Sequence, residues 1–205
     1  MPLDRDLVEP ARTAVLVSEC QRMTVGDRST LPALVDAAAG VIPVIARLVE
    51  SARCAGVQVV HGIIDRRPDG KGTSNNTRFV GMIHKQRRAG VVPDPAGVEI
   101  VDQISVDPAD LVISRLHGMT PFTDTGMDTV LRNLGVSTIV ATGVSLNVAL
   151  AGTVVSAVDR GYHVVVPTDA VTGVPPEYGR AMLENTYSML AWLTTADELM
   201  RIWAR

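Results

Sequence analysis

Residues 13 to 19, Thr-Ala-Val-Leu-Val-Ser-Glu, are apolar without alternation until their last two positions, which predicts a strand buried on both faces. A polar loop follows from Gln21 to Thr30. Leu31 to Ala55 has helical spacing, with Pro32 suited to a first turn, Gly56 as the stop, and Pro43 expected to kink or split the helix. Further strands are predicted over Val57 to Ile64, Leu111 to Ser114, Ser137 to Ala141 and His163 to Val166, with Ala191 to Thr194 as a candidate last strand. Further helices are predicted ending near Leu134, with Gly135 as the stop signal, and over Asn147 to Arg160, Glu177 to Leu190 and Ala196 to Ala204. Asp65 to Gly90 reads as irregular.

Strand and helix alternate throughout. The expected fold class is therefore α/β: a doubly wound three-layer α/β/α sandwich, one domain over residues 1–205, with a mostly parallel sheet of about six strands. In such sheets ligands bind beyond the carboxyl ends of the strands, where the strand order reverses. Glu19, Arg115 and Ser145 stand at such ends.

The chain has 205 residues and a formal net charge of −3, which argues against bulk nucleic-acid binding. Aromatic content is 3%, too low for base-stacking platforms. No apolar run is long enough for a membrane span, and the charged start, Asp4 to Arg12, lacks the pattern of a secretory signal. Two cysteines, Cys20 and Cys54, make no disulfide framework, so a cytoplasmic setting is expected. The stretch 65–90 carries a local excess of five positive charges. It reads either as a lid that draws in an anionic substrate or as a solvated connection or oligomer contact.

Thr142-Gly143-Val144-Ser145-Leu146-Asn147-Val148-Ala149 joins an apolar strand to an apolar helix. Such a turn aims backbone N–H groups and a helix N-terminus at one point, an anion or oxyanion site. A nucleophile on the first helical turn would complete an acyl-transfer machine, but Ala149 has no such chemistry.

Three segments carry a resemblance over roughly Thr13 to Leu199. They are Val17-Ser18-Glu19-Cys20-Gln21; Arg115-Leu116-His117-Gly118-Met119-Thr120-Pro121-Phe122 with Thr125 and Leu131 to Val136; and Thr142-Gly143-Val144 with Asn147, continued by Ala157 to Tyr162. In order and spacing the chain resembles the isochorismatase-like hydrolase, or cysteine hydrolase, superfamily. Typical members place Asp after the first strand, Lys after the third and Cys in the turn after the fourth. Here those positions hold Glu19, Arg115 and Ala149. The substitutions keep a carboxylate and a cation, but Arg stays protonated at neutral pH, and alanine excludes a thioester at that position. True isochorismatases also lack the cysteine and cleave a vinyl ether after protonation by the acidic residue. By that resemblance Glu19 is the candidate acid or base and Arg115 the candidate group for an anion. Burial of Glu19 would favour the protonated acid and the neighbouring cation would oppose it.

The remaining candidates each carry two readings. Glu19 and Arg115 are either a catalytic pair or a structural ion pair across adjacent strand ends. Gln21 either contacts ligand or Glu19, or bonds loop backbone. His117 and Thr120 either line the site or stabilise their loop. Val144, Ser145, Asn147 and Ala149 line the expected pocket, with Ser145 and Asn147 read first as helix caps; the resemblance implies a cis Val144–Ser145 peptide. Cys20 should face away from Glu19 as a buried thiol, and His61 reads as a core histidine. Some relatives hold a metal with a closely spaced Asp and His; Asp65 has no such partner, so no metal or cofactor is expected. The readings are a hydrolase without a protein nucleophile, a non-catalytic binder of a small anion or partner subunit, or an amidase with Cys20 or Ser145 as nucleophile. The resemblance implies a homodimer or homotetramer, for which Trp192, Leu193, Ile202 and Trp203 offer either interface or core.

Overall fold

The computed structural model describes residues 3–88, 90 and 94–204. Six parallel strands form one sheet: β1 (Thr13–Ser18), β2 (Gln58–Ile64), β3 (Leu111–Arg115), β4 (Thr138–Gly143), β5 (His163–Pro167) and β6 (Trp192–Thr194), in the order β3-β2-β1-β4-β5-β6. The order reverses between β1 and β4, which makes that edge of the sheet the topological switch point. Ser18 pairs with Gly62 on one side and Gly143 on the other, so Glu19 and the Thr142–Ala149 turn leave the sheet side by side.

Helices cover both faces. Alternate residues of β1 divide between two cores: Val15 and Val17 pack with α3 (Ile42–Cys54) and α9 (Ala196–Trp203), while Ala14 and Leu16 pack with α5 (Met127–Asn133) and α6 (Ala149–Asp159). This double burial is why β1 carries no polar alternation. Trp203 belongs to the first core and its Nε1 donates to Val8 O at 3.0 Å, whereas Trp192 is half exposed. Among the described residues no single helix is long and apolar enough to cross a membrane.

The expected split near Pro43 is present, and two other expectations are corrected. The helical run before Gly56 breaks ahead of Pro43: α2 (Pro32–Ala38) and α3 meet at a 52° bend, with Pro43 in the first turn of α3 where its missing N–H costs nothing. The stretch Glu177 to Leu190 winds as α7 (Pro176–Met182), a π turn (Leu183–Tyr187) and α8 (Ser188–Leu190), and the π turn carries Tyr187 into the core. The segment expected to be irregular holds α4 (Arg78–Arg88). Ala89 and the Arg87 side chain of that basic segment lie outside the described residues. A short α1 (Arg22–Val25) completes the elements around the end of β1.

Behind the sheet, His61 is buried and its Nε2 lies 3.0 Å from Asp110 Oδ2, which also accepts from Arg53 Nη2 at 2.5 Å and from the Asp107 N–H at 3.0 Å. Burial pushes the His61 imidazole below its ordinary value, only partly offset by Asp110. Burial pushes Asp110 up, but its hydrogen bonds from Arg53, the Asp107 N–H and His61 outweigh that and hold it low. His61 is thus a core residue bound to a structural carboxylate.

Two outcomes are expected. The unfolded chain binds the His61 proton more readily than the folded one, so this group's stabilisation is complete above about pH 6.5 and is lost as pH falls. Urea midpoints should drop between pH 7.5 and 5.5, and His61→Gln should flatten that slope. At Gly143, with φ +99°, an added Cβ would lie 2.3 Å from Ser18 O. Gly143→Ala should therefore cost about 3 kcal/mol or more. Gly161→Ala, also at positive φ but in open space, should cost only about 1 kcal/mol by the same denaturation.

Candidate active site

The end of β1 delivers Glu19 in the left-handed backbone region, φ +52°, with its N–H bonded to Gly62 O at 2.9 Å. A non-glycine residue there carries roughly 1–2 kcal/mol of backbone strain, and such strain gathers at functional positions. Arg115 leaves the end of β3, and its Nη2 donates to Glu19 Oε1. The two strands are not neighbours. β2 lies between them, and the guanidinium reaches across its end, which corrects the expectation of adjacent strand ends. Arginine is 4% exposed and the Glu19 side chain 15%, so the pair is largely out of water. Arg115 Nε also donates to Gly118 O at 3.4 Å, while its buried Nη1 has no partner among the described residues.

Beside this pair lies a cavity of about 620 Å³, within the range of small-molecule sites. Glu19, Arg115, Ser145 and Ala149 all line it. Ala149 opens α6, so the positive end of that helix dipole meets the same hollow. The turn's N–H groups are unequally available. Val144 N–H is taken by Ser18 O, Leu146 N–H by Thr172 O and Val148 N–H by Ser145 O. Ser145 and Ala149 N–H groups make no hydrogen bond among the described residues. The Val144–Ser145 peptide is cis.

Other sequence candidates stand elsewhere. Gln21 is fully buried; its amide donates to Ile64 O (3.0 Å) and Val98 O (2.8 Å) and accepts from Ile64 N–H (2.8 Å), so it ties cavity-wall segments together without lining the cavity. His117 is half exposed beside a separate hollow of about 110 Å³. Thr120 Oγ1 accepts from Phe122 N–H and its side chain packs toward Gly152. Val144 is sealed in the core. Asn147 donates to Val174 O at 3.0 Å and accepts from Ser145 Oγ at 2.9 Å. Neither Ser145 nor Asn147 caps α6, because the cap position is Val148 and no side chain bonds there. Tyr187 instead fixes this turn from behind: its hydroxyl donates to Leu146 O at 2.6 Å, and burial pushes its phenol up.

Sequence reasoning missed the opposite wall. Phe79, Met82, Ile83 and Gln86 of α4 face the cavity at intervals of three and four residues. The apolar pairs Phe79-Val80 and Met82-Ile83 carry that helical period, but the surrounding basic residues obscured it. Cys20 lies in the core, and burial first, then the nearby Glu19 charge, push its thiol up to about 12. Among the described residues no group of three or more His, Cys, Asp or Glu side chains is placed to hold a metal ion.

Comparison with known proteins agrees with the fold. Residues 13–198 match the family model described as the isochorismatase domain. A ureidoacrylate amidohydrolase of Methylorubrum extorquens is 28% identical over 188 residues, covering 82% of this chain and 75% of that protein. A cysteine hydrolase from Pseudomonas syringae superposes with a TM-score of 0.84 at 26% identity, covering 100% of this chain and 98% of that one. An isochorismatase family protein from Desulfovibrio vulgaris superposes with a TM-score of 0.79 at 27% identity, covering 95% and 99%.

Thiol chemistry at this site is open to a direct check. With iodoacetamide, the native folded chain should take one label, at exposed Cys54, and Cys20 should react only after unfolding. Ala149→Cys in a Cys54→Ser background should restore one label, at position 149, read by peptide mass mapping.

Proposed function

The chain belongs to the isochorismatase family, and from that premise we propose that it is a small-molecule hydrolase that works without a protein nucleophile. Glu19 supplies acid and base chemistry, and Arg115 binds an anionic group of the substrate. The observation that carries this reading is the convergence of Glu19, Arg115 and Ala149 on one cavity at the switch point, with Glu19 held in a left-handed conformation.

The chemistry then divides among few groups. Glu19 delivers a proton to the substrate, water adds to the activated centre, and the proton that water loses returns to Glu19. Arg115 and the N–H groups of Ser145 and Ala149 offset negative charge on the bound or developing anion. Ala149 leaves space where the family's usual thiol would stand, so a water can approach without a covalent intermediate. The relatives, an amidohydrolase and a cysteine hydrolase, support hydrolysis as the reaction class. The substrate class follows from the donors: a small molecule bearing an anionic group beside a labile amide, ester or enol-ether bond.

The same pair favours a second reading. Glu19 and Arg115 already pair with each other, and Ala149 is inert, which suits a family member that binds a small anion without consuming it. Product beyond one equivalent per chain, from a panel of carboxylate-bearing amides, esters and enol ethers, decides for turnover. Ligand-induced stabilisation with no product decides for binding.

On any substrate turned over, Glu19→Gln should lower kcat at least about 100-fold, while circular dichroism and a cooperative unfolding transition show that the fold survives. A Glu19→Gln chain as active as the native one would end the catalytic assignment. Because the pair is mostly buried, Glu19→Gln should also cost stability, up to about 3–5 kcal/mol for a fully buried pair, so activity is compared below the variant's own unfolding midpoint.

A further inference from the structure

We infer that the cavity takes an amphipathic monoanion, with its carboxylate at the Glu19–Arg115 end and a hydrocarbon body lying along the wall made by α4. This rests on the proposed role of Arg115 in binding an anionic group, and it concerns binding alone.

The floor of the cavity is rich in donors. Among the described residues, Arg115 Nη1 is buried with no acceptor, and the N–H groups of Ser145 and Ala149 make no hydrogen bond. Of the Glu19 carboxylate, Oε1 already accepts from Arg115, and Asp65, which also lines the cavity, is exposed to solvent. A buried guanidinium nitrogen without a partner carries a desolvation cost that an incoming acceptor removes. A carboxylate supplies two acceptor oxygens and matches the fork geometry of arginine. An ammonium supplies none.

The walls are of the opposite character. Met23 and Leu34 line one side, Val148 stands beside the floor, and Phe79, Met82 and Ile83 form the α4 side. Phe79 and Met82 are 42% and 44% exposed, large apolar side chains left open beside the hollow. At the rim Arg28 and Asp94 already pair, 3.3 Å apart, so that charge is balanced locally. A volume of about 620 Å³ is several times what a bare carboxylate or a urea fills. A ligand that leaves this wall wet forgoes most of the available affinity. One that covers it gains with each methylene buried.

Isothermal titration calorimetry of the full chain with butanoate, hexanoate and octanoate tests the body. The Kd should tighten about fourfold for each added methylene. Octanamide and octylamine test the head, and each should bind at least tenfold more weakly than octanoate. Met82→Ser, at a half-exposed position that tolerates a polar side chain, should weaken octanoate about fivefold or more and leave butanoate unchanged. Phe79→Ser serves the same purpose if Met82→Ser fails to fold. A flat chain-length series, an amide as tight as the acid, or a tighter amine would overturn the inference. Those results leave the proposed chemistry of Glu19 standing, and loss of the Glu19→Gln effect on turnover would leave the binding series standing, so the two failures are distinguishable.

Discussion

A single guanidinium holds the candidate site together. Arg115 crosses the end of β2 to reach Glu19, joining the edge strand of one half of the sheet to the strand at which the order reverses. Only a long cation makes that span, and only a carboxylate at the end of β1 receives it. The pair sits mostly out of water, where an unpartnered charge is costly. Each member therefore constrains the other, and the left-handed backbone at Glu19 is part of that arrangement.

An alanine at position 149 limits what the surrounding groups can accomplish more than it limits their shape. The cis peptide, the helix N-terminus at Ala149, and the close approach of Gly143 to Ser18 O all surround a position with no reactive atom. The site is an electrostatic arrangement: one acid, one fixed cation, and Ser145 and Ala149, whose N–H groups make no hydrogen bond among the described residues, lining a mostly apolar hollow. Such a site can orient a ligand, protonate it or stabilise its charge, but it cannot take part of it covalently at position 149.

Much of this was legible in the sequence, for physical reasons that also mark where legibility stopped. β1 and β4 read clearly because both their faces are buried, which removes polar residues from consecutive positions. Glu19, Arg115 and Ser145 could be placed together as candidates because strand ends are where a doubly wound sheet binds ligands, and Ala149 was added by the resemblance; all four line one cavity. Gln21, Thr120 and Asn147 could not be assigned that way. Gln21 and Asn147 bond backbone brought in from Ile64, Val98 and Val174, tertiary neighbours that local pattern does not contain, while Thr120 closes a local turn with the Phe122 N–H. The α4 wall was hidden for a different reason: a helix with a wet apolar face over a cavity looks too polar to be regular.

The π turn at Leu183–Tyr187 has a consequence for how this chain can change its length. Its extra residue per turn sets the angle at which the Tyr187 hydroxyl meets Leu146 O, 41 residues earlier. Removing one residue there would rewind the helix and rotate the ring by about 100°, withdrawing the rear support of the elbow that precedes Ala149. Insertions and deletions in the final quarter of the chain are thus policed by a loop they never touch in sequence, and drift in that helix would be felt first at the cavity floor.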